Sequence, residues 1–98
     1  MDAILVGYSG ESDQFLWIEN QALSLGSETE IDFSDATLDD LVLALNLVEG
    51  VTAVLLADGG LNASELNEIS REYPADITAR PYLLGHGNYS SPKKISEA

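Results

Sequence analysis

The chain contains no cysteine, one histidine and only four Lys and Arg among 98 residues. The missing thiols exclude a disulfide scaffold, a thiolate metal site and a Cys nucleophile. No stretch approaches the ~18 consecutive apolar residues of a membrane-spanning helix. The opening residues, Met1 to Gly7, lack the basic region and the long apolar run of a secretory signal. A cytoplasmic protein is the expectation, so Asn62-Ala63-Ser64 and Asn88-Tyr89-Ser90 are not read as glycosylation sites. The Gly7-x-x-Gly10 and Gly59-Gly60 pairs do not spell a dinucleotide fingerprint or a P-loop. No cofactor and no metal are expected, since the single histidine has no partner histidine at ligand spacing.

What is present in excess is acid. Seventeen Asp and Glu give a formal charge of −13. Such a body repels nucleic acid and anionic lipid, and attracts basic partners. Salt adaptation is the competing explanation, but fifteen leucines weigh against it. Two of the basic residues, Lys93 and Lys94, lie in a Gly-, Asn- and Ser-containing C-terminal stretch. The length suits one domain, expected over residues 1–85 with a loosely ordered tail from 86 to 98.

Hydrophobic periodicity predicts a strand over Ala3 to Tyr8. Gln14 to Leu25 fits either a helix or a strand; the run Phe15-Leu16-Trp17-Ile18 favours a strand that forms a hairpin with the first one. Glu28 to Phe33 alternates acid with Thr29, Ile31 and Phe33, the period-2 mark of a strand wet on one face. Thr37-Leu38-Asp39-Asp40 has capping-box form and opens a helix running through Val48 to a stop at Gly50. That helix is apolar around most of its circumference, so it needs cover on more than one side, from the fold or from a second subunit. Val51 to Ala57 reads as a central strand. Asn62-Ala63-Ser64-Glu65 has the form of a second capping box, predicting a helix to about Tyr73 ahead of Pro74. Ile77 to Leu84 is the last strand, an edge strand because of Pro81. Together these predict an α+β fold, a single mixed sheet of four to five strands with two or three helices on one face. A small three-layer α/β arrangement is the alternative.

Two constellations carry possible chemistry. Ser9, Asp58 and His86 each follow a predicted strand, and parallel strands would gather them at one sheet edge as a hydrolase triad or ligand site. The local pattern Gly7-Tyr8-Ser9-Gly10-Glu11 departs from a nucleophile elbow at its last position. The second constellation is acidic. Glu28, Glu30, Asp32, Asp35, Asp39 and Asp40 fall in thirteen residues with no basic residue between them. The helix dipole accounts for Asp39 and Asp40. It does not account for Glu28, Glu30 and Asp32, which share one strand face at roughly 6.6–7 Å spacing, inside a Debye length of about 8 Å. Glu65, Glu68 and Glu72 would form a second acidic ridge on the predicted second helix.

These features favour a non-enzymatic acidic domain that binds a basic protein surface. Its sharper form is an inhibitor lying in a nucleic-acid-binding groove, of the phage antidefence or immunity type, with Trp17 or Tyr82 as an anchor. The alternatives are the small hydrolase built on Ser9, Asp58 and His86, and a homo-oligomeric regulatory domain.

Overall fold

A computed structural model describes residues 1–78 and 80–87, which leaves the predicted tail beyond Gly87 outside the described residues. The architecture is not the expected single mixed sheet with helices on one face, nor a three-layer α/β arrangement. Among the described residues, two antiparallel sheets, of three and four strands, share one core with a single α-helix.

The three-stranded sheet has the order β5-β1-β7, with β1 over Asp2–Tyr8, β5 over Val51–Leu55 and β7 over Tyr82–Gly85. Ile4 lies opposite both Leu55 and Leu84, and Val6 opposite Ala53 and Tyr82, so Ile4, Val6, Ala53 and Leu84 turn one face into the core. The opposite face carries Leu5, flanked by Val54 and Leu83, each 46% exposed. The predicted central strand over Val51 to Ala57 is therefore an edge strand confined to Val51–Leu55, with alternating burial. Pro81 precedes β7, which is an edge as expected.

The four-stranded sheet has the order β4-β3-β2-β6, with β2 over Phe15–Glu19, β3 over Ala22–Leu25, β4 over Thr29–Asp32 and β6 over Ala75–Asp76. The segment Gln14 to Leu25 does not pair with β1. It is a hairpin in itself, closed by Asn20 and Gln21, whose φ angles of 55° and 60° give the left-handed pair of a tight two-residue turn. Leu16, Ile18, Leu23 and Leu25 line its inner face. The expected last strand, Ile77 to Leu84, is confined to Tyr82–Gly85, which joins β1, while Ala75–Asp76 just ahead of it joins β2.

Helix α1, Leu38–Asn46, is where its capping box places it. The Asp40 N–H donates to the Thr37 hydroxyl, and the Asp40 carboxylate accepts from the Thr37 N–H. Leu38, Leu41 and Leu45 are buried, and α1 packs on β5. The fold covers only that side: Leu43 and Leu47 stay 67% and 86% exposed. Gly50, at φ +85°, makes the turn into β5 in a conformation that disfavours a side chain. Asn46 closes the outer edge of β5. Its side-chain amide donates to the Ala53 carbonyl at 3.0 Å and its oxygen accepts from the Ala53 N–H at 2.8 Å, as a neighbouring strand would.

The second helix does not form. Residues Ala63–Glu65 make one 3₁₀ turn, and the Asn62 side chain makes no capping bond. The following apolar residues are drawn into strand-like bridges instead: Leu66 with His86, and Ile69 with Ile18 through reciprocal backbone bonds of 3.0 Å. These tertiary pairings outweigh a local capping signal worth ~1 kcal/mol. No helix among the described residues is long and apolar enough to cross a membrane.

Candidate functional site

Register builds the site. Along the outer face of the four-stranded sheet, Trp17 lies opposite Ser24 and Ser24 opposite Glu30; in the next row Glu19 lies opposite Ala22 and Ala22 opposite Asp32. The face is concave, with a volume of about 650 Å³ bounded by these residues together with Glu28, Asn20 and Arg71. Strand alternation thus brings Glu30 and Asp32 onto one surface, as their spacing implies; Glu28 lines the concavity from the turn before β4, and β2 adds Trp17 and Glu19.

Arg71 is the one cation among the lining residues. Its guanidinium carbon lies 5.4 Å from the centre of the Trp17 ring, over the negative face of the indole. The backbone fixes it there, because the Arg71 N–H donates to Glu19 Oε2 at 3.1 Å. At the rim, the Asn20 N–H donates to Glu68 Oε2 at 3.2 Å. Glu19 and Glu68 are therefore engaged in holding loops. Among the described residues, the carboxylates of Glu28 and Glu30 make no hydrogen bond or ion pair. Asp32 differs: the Ser34 N–H donates to its Oδ1 at 2.9 Å, and this bond, followed by one from the Ser34 hydroxyl, holds its carboxyl below the usual range.

The other acids do not join this surface. Asp35 stands exposed in the turn after β4. Asp39 and Asp40 occupy the first turn of α1, with Asp40 committed to the capping box. The Glu65, Glu68, Glu72 ridge does not exist, because the helix that would align it is absent. Glu68 alone reaches the rim, Glu65 sits beside the end of β7 where its carbonyl accepts from the Gly87 N–H, and Glu72 follows Arg71 in an exposed turn. The two anchor candidates separate as well, Trp17 onto the concave face and Tyr82 onto the other sheet.

Antiparallel pairing also dismantles the Ser9, Asp58, His86 constellation. Because β1 and β5 run oppositely, with Ile4 against Leu55 and Tyr8 against Val51, Ser9 and Asp58 leave the sheet at opposite ends. The seven residues of β1 set those ends roughly 20 Å apart. Asp58 accepts from the Gly60 N–H in its own turn, and the buried His86 ring has Nε2 2.8 Å from the Asn62 carbonyl oxygen, to which it donates. No group of three or more His, Asp and Glu side chains among the described residues is placed to hold a metal ion. Comparison with known protein families, with curated proteins and with solved structures found no match to this chain.

Proposed function

We propose that the chain is a non-enzymatic acidic binding domain that docks the concave outer face of its four-stranded sheet onto a basic surface of another protein. The observation that carries this reading is the placement of Glu28, Glu30 and Asp32 on one concave face beside Trp17. Like charges held within a Debye length of one another repel, and a Lys- or Arg-rich surface removes that repulsion on contact. Trp17 supplies the rigid, partly apolar contact that fixes register, and Arg71 already demonstrates that its ring accepts a guanidinium.

The sharper form of the proposal is inhibition of a nucleic-acid-binding protein. Successive carboxylates on one strand face stand roughly 7 Å apart, close to the phosphate interval of a single nucleic-acid strand. A duplex carries about one charge per 1.7 Å of axis, far denser than the single row on β4. The row therefore suits a groove that tracks a few nucleotides of one strand.

The test separates the face from the net charge. A triple variant with Glu28→Gln, Glu30→Gln and Asp32→Asn, and a control with Glu11→Gln, Asp13→Asn and Glu49→Gln, lose the same formal charge. Titrated with a nona-arginine peptide at several salt concentrations, the first is expected to bind at least about tenfold more weakly than wild type with a shallower salt slope. The control is expected to stay close to wild type. Equal losses in both would refute a dedicated face and leave only bulk charge.

A further inference from the structure

Three of the four outer sheet edges are short or covered. Asn46 closes β5, the segment around Asn67 bonds to β7 through the Gly85 carbonyl, and β6 is two residues long. The fourth edge is β4. Its phase follows from the bond in which the Phe33 N–H donates to the Gln21 carbonyl at 3.0 Å. In an antiparallel ladder hydrogen-bonded pairs alternate, so Thr29, Ile31 and Phe33 turn their backbone groups toward β3. Glu30 and Asp32 turn theirs outward. Among the described residues, no hydrogen bond ends on those outward N–H and C=O groups.

We propose that this edge accepts an extended segment of another protein as an added antiparallel strand, and that the segment carries Lys or Arg at alternate positions around an aliphatic residue. This rests on the docking reading above and specifies the shape of the partner. Residues opposite Glu30 and Asp32 across a ladder stand on the same outer face as those carboxylates, within ion-pair reach. The residue between them falls opposite the half-buried Ile31 on the core side, where an aliphatic side chain is favoured. The pattern selected is cation, aliphatic, cation. A second copy of the chain is disfavoured at the same edge, because pairing β4 with itself sets carboxylate against carboxylate. The edge thus refuses its own kind and neutral strands that leave the acids unpaired, while admitting a basic strand.

Three seven-residue peptides with capped ends test the proposal by calorimetry at low salt. One alternates lysine with valine, one has the same composition with the lysines grouped, and one alternates but is N-methylated on its lysine backbone nitrogens. The lysines are the residues whose amides face Glu30 and Asp32. A fourth, N-methylated on valine, is the control. The alternating peptide is expected to bind about tenfold tighter than the grouped one. Methylation on lysine is expected to remove that advantage and methylation on valine to leave it. Equal affinity for the alternating and grouped peptides would overturn strand addition. If nona-arginine still binds through Glu28, Glu30 and Asp32 in that case, the docking face stands without it; if nona-arginine also fails to bind, the docking reading falls together with this one.

Discussion

Asn46→Ala isolates the device that seals β5. The substitution removes both bonds to Ala53, of 3.0 and 2.8 Å, and leaves the N–H and C=O of a residue only 6% exposed without a protein partner. Each such bond contributes about 0.5–1.5 kcal/mol net, so the pair contributes about 1–3 kcal/mol. Alanine returns roughly 0.5 kcal/mol through its higher helix propensity at the last position of α1. At the middle of that range the expected net loss is about 1.5 kcal/mol. For a domain of this size that lowers Tm by roughly 5–15 °C. Urea unfolding gives the free energy and a thermal scan gives Tm. Asn46→Asp is the companion variant, since it keeps the acceptor for the Ala53 N–H but sets a carboxylate oxygen against the Ala53 carbonyl. It is expected to be at least as unstable as alanine at neutral pH, and to regain stability when acid supplies the missing donor. If Asn46→Ala unfolds within ~0.5 kcal/mol of wild type with an unchanged slope, the side chain is not acting as a surrogate strand.

Two further outcomes follow from local geometry. Gln21 occupies φ 60° in the β2–β3 turn, and glycine adopts that region without the strain a side chain imposes. Gln21→Gly is expected to stabilise the fold by about 0.5–1 kcal/mol in urea unfolding, and a net loss would show that the Gln21 side chain matters more than its backbone. The Ser34 N–H and then its hydroxyl lower the Asp32 pKa. A carboxyl lowered in the folded state stabilises the protein above its unfolded value, near 3.9, and that contribution disappears as pH falls through the folded value. A carboxyl-carbon NMR titration should place Asp32 below ~3.9, with Ser34→Ala moving it only part of the way back because the N–H bond remains. A midpoint above the ordinary range would contradict this account.

Elements with strong local signals were readable from residue order. The capping box at Thr37 and Asp40 placed α1 correctly, because both of its bonds lie within four residues. The alternation along β4 sets Glu30 and Asp32 on one surface, because period 2 is a property of the strand itself, whereas Glu28 joins them from the turn ahead of the strand. The second helix fails to form for the converse reason. Asn62-Ala63-Ser64-Glu65 carries a capping pattern, yet Leu66 and Ile69 pair with His86 and Ile18, far away in sequence. Val51 to Ala57 looked central because Val54 and Leu56 are aliphatic, although both are about half exposed. The meeting of Trp17 with Arg71 could not be read at all. It depends on a loop crossing to β2, held there by the Ile18–Ile69 backbone bonds and by Glu19 and Glu68 oxygens that accept backbone N–H groups. The separation of Ser9 from Asp58 is not legible, because the long antiparallel return from β1 to β5 carries no distinct mark in residue order.

The position of β1 has a consequence for biosynthesis. It leaves the ribosome before both strands that flank it, yet it lies in the middle of its sheet, and Leu5 meets Leu83 only after all the chain between them has been made. Closing so long a loop is entropically slow. The nascent protein therefore exposes one side of β1 until translation reaches β7, and this sheet is completed only as β7 emerges.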